Sequence, residues 1–290
     1  MRENVKKIII IIVAIAGLSF SNILLQLTSQ PQIEKLFTKG RFHIYFLNVG
    51  QGDATLIRTP SGKNILIDAG PDLSILSEVG RALPFYERVI DLAIITHFDQ
   101  DHILGFIPLS QRYQIRQVWK SRWTVENDLW RILVGNLKRQ GTKINQVKTG
   151  DTLLIDGVRL EILYPEKQVA SNDSNSWSLV IKARLGDGVS LLFSGDLPQA
   201  QETMLVKQGA PLQANILQVG HHGSRTSSNL DWLQAVSPDL AVISVGKDNK
   251  FGHPHFRTLR NLDLLNIKVL RTDKIGTIHL VSDGRIIWQE

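Results

Sequence analysis

The chain has 290 residues, 43% hydrophobic, 21% charged and 7% aromatic, a balance that excludes disordered, collagen-like and coiled-coil proteins. Lys and Arg number 33 against 27 Asp and Glu, a formal charge of +6 that fits an anionic partner and equally fits plain solubility. The absence of Cys removes disulfides, thiolate nucleophiles and Cys-ligated metals, so any metal must rest on His, Asp, Glu or Asn.

Arg2, Lys6 and Lys7 precede an apolar run from Ile8 to Leu27. About 20 such residues cross a bilayer, so 1–28 is expected to form a membrane anchor through residues 8–27. The basic flank stays inside and leaves the remainder outside the cytoplasmic membrane. Cleavage near Ser19 and Ser21, as in a secretory signal, is the alternative and gives a secreted product. A polar linker, 29–40, follows, and 41–290 has the length of one large domain.

Within that domain the strand-like runs are 42–49, 54–59, 64–69, 92–96, 159–164, 178–185, 189–195, 215–220, 240–246, 268–272 and 277–281. PSGK at 60–63 and GDG at 186–188 are hairpin turns. Helical periodicity covers 74–83, 126–139, 198–207, 229–236 and 256–264. Hairpins dominate while helices follow strands, which predicts an α/β (α+β) fold of two mixed sheets with outer helices. A TIM barrel and a doubly wound sheet are both excluded.

The chemistry concentrates at strand ends. THFDQDH (96–102) directly follows the apolar strand LAIIT and places His97, Asp99, Asp101 and His102 within six residues. A loop after a strand lets these side chains converge, whereas a continued strand would scatter them over two faces. VSLLFSG ends in Asp196, and NILQVG ends in His221, His222, Gly223 and Ser224. Three apolar strands that each deliver ligand-type residues at their C-terminal ends form a constellation far more specific than any one motif.

These residues resemble the metallo-β-lactamase fold, an αββα sandwich whose hydrolases hold one or two metals at one sheet edge. The pattern is closer still to the metallo-β-lactamase-like domain of ComEC-type DNA-internalisation proteins. It runs in order as FLNVGQGDATLI, ILIDAG, THFDQDH, NSWSLVIK, LLFSGD, VGHHGSRTSS, SVGKDNKFGHPH and RTDKIGTIHL, from 46 to 280. The multi-spanning channel of the competence proteins has no counterpart in these residues, so a separate membrane channel protein is an expected partner.

The resemblance implies that His97 and Asp99 hold a first metal, that Asp101 and His102 hold a second, and that Asp196 bridges them. One of His221 and His222 completes the second site. Asp99 and Asn175 stand where the family at large has His, and an oxygen-rich shell favours Mn²⁺ while leaving Zn²⁺ possible. If 54–59 pairs with 64–69 across the PSGK turn, the Gly50–Asp53 loop lies beside Asp68. Asp68 then orients a ligand His or a bound water, and Asp53 either does likewise or braces its own turn. His253, in FGHPH, is the candidate proton donor or phosphate contact. Ser224 opens a hydroxyl-rich turn before a helix near Asn229 where amides can cradle a phosphate, with helix capping by Ser228 as the compatible alternative.

Nine Lys and Arg between Gln111 and Lys148, including Arg131, Lys138 and Arg139, face only Glu126 and Asp128. Trp119, Trp123 and Trp130 are interleaved with them, a spacing that serves base stacking or, more often, packing on the sheet. The expected function is a metal-dependent hydrolase of phosphodiesters, a nuclease for extracellular DNA. Two other functions fit the same residues: a small-substrate esterase of the phosphocholine esterase or lactonase type, and a DNA-binding accessory protein with a vestigial metal site.

Overall fold

Strands apolar on both faces must be covered on both faces, and this chain supplies the cover in four layers. The computed structural model describes residues 40–123, 127–166, 169 and 171–290. The expected anchor at 8–27 lies outside the described residues. Among those described, no helix is long and apolar enough to cross a membrane.

The strands are β1 Phe42–Phe46, β2 Thr55–Arg58, β3 Asn64–Ile67, β4 Val89–Ile90, β5 Leu92–Ile95, β6 Gln114–Ile115, β7 Gln117–Lys120, β8 Lys143–Gln146 and β9 Thr152–Ile155. They continue with β10 Val158–Tyr164, β11 Val180–Leu185, β12 Val189–Phe193, β13 Ile216–Gln218, β14 Leu240–Ile243, β15 Lys268–Arg271, β16 Ile278–Ser282 and β17 Ile287–Gln289. One sheet has the order β17-β16-β1-β2-β3-β5-β7-β8 and the other β15-β14-β13-β12-β11-β10-β9, while β4 and β6 form a small pair. The helices are α1 Ser74–Ala82, α2 Gln100–Ile103, α3 Phe106–Arg112, α4 Asp128–Arg139, α5 Gln199–Lys207, α6 Leu230–Val236, α7 Phe256–Leu264 and α8 Thr272–Ile275.

The period of two assigns each strand residue to a layer. Ile65, Ile67 and Ile94 join Ile181, Leu191 and Phe193 in the core between the sheets. Their neighbours Leu66, Ala93 and Ile95 face outward and pack with Val79, Leu109 and Leu133 of α1, α3 and α4. Across the sandwich, Leu192, Leu217 and Ala241 pack with Leu205, Leu233 and Leu262 of α5, α6 and α7. The result is the expected pair of mixed sheets between outer helices, and Trp119 and Trp130 are core residues of it.

Connectivity then decides where the site lies. β3, β5 and β7 run parallel, as do β12, β13, β14 and β15, so their C-terminal ends share an edge within each sheet. β2 pairs with β3 across the 60–63 turn as expected, with Thr55 opposite Ile67. That register sets the loop after β1 beside the loop after β3, and Gly70 N donates to Asp53 O at 2.9 Å. The two edges are tied together by Leu179 N donating to Thr96 O at 3.0 Å and by Thr55 Oγ1 donating to Gln218 Oε1 at 2.9 Å.

The turn after β13 differs from expectation. Ser228 does not cap the following helix: Asn229 does, its Oδ1 accepting from Trp232 N at 2.9 Å. Ser228 N and Asn229 N donate to the fully buried Glu202 of α5 at 2.6 and 3.1 Å. These amides are therefore engaged within the protein and do not cradle a phosphate.

Burial pushes the Glu202 carboxyl up to about 8, against the pull of the two amides. The stability it contributes is complete below its ordinary value of 4.5 and drains away as pH rises through 8. Wild-type protein should lose stability between about pH 5 and 8 and level off above that, and Glu202→Ala should lose less over the same range. At pH 7 the substitution should cost about 3 kcal/mol, since it strands two buried donors. Urea unfolding at each pH measures both effects.

Candidate metal centre

The segment after β5 was expected to be a loop and is instead the short helix α2, with Asp99 at its N-cap. The helix is locked to both neighbouring loops through its backbone. Asp53 N donates to Asp101 O at 3.2 Å, Ala69 N to His102 O at 2.9 Å, and Gly105 N to Gly70 O at 2.9 Å. Approach this close leaves no room for side chains. A Cβ on Gly52 would lie 2.3 Å from Asp101 O, and one on Gly105 would lie 1.9 Å from Ala69 O.

Asp68 organises the first ligand pair. Its Oδ1 accepts from Thr96 N at 2.9 Å, and its Oδ2 accepts from Thr96 Oγ1 at 2.7 Å and from His102 Nδ1 at 2.8 Å. Donation by Nδ1 leaves His102 Nε2 as the free lone pair, 3.2 Å from Asp196 Oδ1. His97 is set in the same way: its Nδ1 meets Thr96 Oγ1 at 3.0 Å and its Nε2 lies 3.9 Å from Asp99 Oδ2 and 4.0 Å from Asp196 Oδ2. Thr96 was not anticipated, although its place beside His97 was a signal.

The second sheet brings Asp196, His221 and His222. His222 is buried, with Nδ1 3.0 Å from Ser244 O and 3.2 Å from Asp53 Oδ1, and with Nε2 3.1 Å from Asp101 Oδ2 and 3.9 Å from Asp196 Oδ2. His221 sits at the rim, its Nε2 3.5 Å from Asp196 Oδ2. Both imidazoles hang from left-handed backbone, φ 52° and 53°, a conformation that costs of order 1–3 kcal/mol per non-glycine residue. Asp68 shares it, at φ 55°.

The donor set fits divalent ions. His97 Nε2, His102 Nε2 and Asp196 Oδ1 are buried and make no hydrogen bond. Donor atoms of His97, His102 and Asp196 lie within 4.8 Å of one another, as do those of Asp101, His102 and His222. These buried His and Asp groups are consistent with a binuclear metal site. Asp99 lies beside them and is part-exposed. Asn175, in the turn Ser174–Trp177 before β11, has a buried Oδ1 with no partner.

Electrostatics agree with a site built for positive charge. Burial opposes ionisation of Asp196, yet His102 and His222 hold it well below the ordinary carboxylate value. Burial likewise opposes charge on His102 and His222, but Asp196 lifts both well above the ordinary imidazole value, with Asp68 and Asp53 respectively adding to the effect. Burial first, and then repulsion from His102, push His97 down to about 3 against the pull of Asp196 and Asp101.

The other expected residues are dispersed. His253 is half-buried at the mouth, its ring 5.7 Å from His221 and its Nδ1 without a partner. Burial first, and then His221 and His222, push it down to about 4. Ser224 is buried and its Oγ meets Thr226 Oγ1 at 3.0 Å. On α4, Arg131 pairs with Asp128 at 3.2 Å and Arg139 Nη2 donates to Asn136 Oδ1 at 2.5 Å, beside Lys138. The helix joins the site region through Trp130, which packs edge-on against Phe98, 5.0 Å between centroids.

Fold and donor set together define a class of protein. Residues 47–247 match the Metallo-beta-lactamase superfamily, and the chain belongs to that superfamily. It is 32% identical to ComE operon protein 3 of Bacillus subtilis (strain 168) over 83% of its own length and 33% of that protein's. It is 30% identical to Competence protein ComA of Neisseria gonorrhoeae, over 80% of this chain and 31% of the relative. The chain thus spans about a third of the curated relatives it matches. Among solved structures, the metallo-beta-lactamase fold protein YhfI from Bacillus subtilis superposes with a TM-score of 0.56 at 11% identity, over 87% of this chain and all of that one.

Imidazoles must shed their protons before they can ligate. Since His102 and His222 are raised above the ordinary value, Mn²⁺ binding should release protons. Apparent affinity should fall about tenfold per pH unit for each proton displaced as the solution is acidified below neutrality. Calorimetric titration in buffers of different ionisation enthalpy measures the proton count.

Proposed function

We propose that this chain is a metal-dependent phosphodiesterase that acts as a nuclease on extracellular DNA. The observation that carries the reading is the set of buried, unpartnered donor atoms His97 Nε2, His102 Nε2 and Asp196 Oδ1. Stranded polar atoms cost about 1–3 kcal/mol each, and bound divalent ions would satisfy this cluster of donors. His97 and Asp99 are assigned to a first ion, Asp101, His102 and His222 to a second, and Asp196 to both. Oxygen donors from Asp99 and Asn175 favour Mn²⁺, and the imidazoles keep Zn²⁺ open.

When bound, such ions supply positive charge for the phosphodiester oxygens and lower the pKa of a nucleophilic water. The chain's own residues do the positioning. Asp68 fixes the tautomer of His102, and Asp53 and Ser244 O do the same for His222. His253, neutral in the free protein, gains basicity beside a bound phosphate and stands at the mouth to protonate the departing alkoxide.

The DNA assignment draws on the basic stretch around α4 and on the names of the relatives, which include a competence protein and, at 31% identity, Recombination protein 2 of Haemophilus influenzae. Uptake of DNA calls for a centre outside the cytoplasmic membrane, held there by residues 8–27 or secreted, and for a separate channel protein.

Asp101→Ala and Asp196→Ala should each lose bound metal and lower turnover by several orders of magnitude, read by elemental analysis and by hydrolysis of single-stranded DNA under Mn²⁺. Full turnover with full metal in either variant overturns the assignment. Turnover of carboxylic or phosphocholine esters alone would make the protein a small-substrate esterase, and DNA binding without metal would make it an accessory protein. His253→Ala should slow cleavage of DNA ~100- to 10,000-fold while keeping metal, and slow nitrophenyl diesters much less. An equal loss on both substrates removes His253 as the acid. Neutralising Arg131, Lys138 and Arg139 together should weaken polynucleotide binding and flatten its salt dependence.

A further inference from the structure

Single exposed apolar residues are common and ordinarily mean nothing. Phe251 differs because its exposure is built. The ring is 69% exposed, yet its backbone is held by the Asn249 side chain. Asn249 Oδ1 accepts from Phe251 N at 3.2 Å and His253 N at 3.0 Å, while Nδ2 donates to Gly246 O at 3.0 Å and His253 O at 2.7 Å. One amide thus closes the loop on itself with four bonds. The ring it presents stacks on His253, with centroids 5.8 Å apart and planes inclined by 27°. His253 in turn meets His221 edge-on at 5.7 Å, and His221 Nε2 is 3.5 Å from Asp196. A continuous row of rings therefore leads from solvent to the ligand cluster.

The surrounding charge selects the occupant. Lys247, Lys250 and Arg257 are exposed around this loop with Asp248 as the single acid between them. Arg225 joins them from the neighbouring turn, which is bonded to this loop by His255 N donating to Gly223 O at 2.8 Å and by Thr258 Oγ1 donating to Ser224 O at 2.9 Å. Among the described residues none of these four cations forms a salt bridge. An aromatic face among unpaired cations is the arrangement by which proteins hold single strands, since bases stack while the backbone follows positive charge. A base in a duplex has both faces already covered.

We infer that Phe251 stacks an unpaired nucleobase beside the scissile phosphate, so that the substrate class of this centre is single-stranded polynucleotide. The inference rests on the phosphodiesterase reading above and adds the strand state and the residue that selects it.

The test compares wild type, Phe251→Ala and Phe251→Trp with Mn²⁺ present. The probes are phosphorothioate-linked oligo-dT, which resists hydrolysis, and a phosphorothioate hairpin duplex of the same length. Wild type should prefer the single strand. Phe251→Ala should lower oligo-dT affinity by about tenfold or more and shrink the single-strand preference with it, and Phe251→Trp should keep both. Oligo-dT should also quench the added indole fluorescence of Phe251→Trp. Unchanged oligo-dT affinity in Phe251→Ala, or an equal loss on the duplex, overturns the inference. Binding is read without turnover, so a wild-type protein that cleaves no diester yet binds oligo-dT through Phe251 would refute the enzymatic reading alone.

Discussion

One buried carboxylate sets the terms for this structure. Asp196 stands among four imidazoles, at 3.2 Å from His102, 3.5 Å from His221, 3.9 Å from His222 and 4.0 Å from His97. A carboxylate that loses water must be compensated by charge or by hydrogen bonds, and here the compensation comes from both sheets at once. His97 and His102 belong to one sheet's edge and His221 and His222 to the other's. Alignment of the two edges is thereby tied to the ionisation of a single side chain. The left-handed backbone at Asp68, His221 and His222 is strain that the same compensation must offset.

Much of this was legible because the informative residues are adjacent in sequence. Each of the eleven apolar runs became a strand, since runs such as NILI and VSLLF are buried on both faces and have no other stable use. The 60–63 hairpin predicted the contact between the Asp53 and Asp68 loops because antiparallel register follows from turn length alone. Residues with local polarity were harder. β7 and β8 read QVWK and KINQ, too polar and short for a periodic signal, and they form only because β5 offers β7 a parallel partner and β7 in turn offers one to β8. Pro108 lies inside α3, and α2 is a single turn.

The sequence placed candidate donors at strand ends but could not give their arrangement. His97, Asp101, His102, Asp196 and His222 stand at strand ends and were found there. The sequence could not rank His221 against His222, because the difference lies in a backbone twist that turns one ring inward and leaves the other 27% exposed. Glu202 and Asn249 were invisible for a related reason. Each acts through long-range or loop-closing bonds to backbone amides, and no side-chain spacing encodes which amides a fold will leave unpaired.

The division of the donors between the two sheets has a topological consequence. The His and Asp donors of the first sheet end at His102 and those of the second begin at Asp196, roughly a hundred residues later, a span whose closure costs the unfolded chain considerable entropy. An ion held at this edge would be a cross-link across that span and would do the work of a disulfide in a chain without cysteine. Loading the centre would then also strengthen the join between the two sheets, so that site occupancy and the cohesion of the sandwich would be linked.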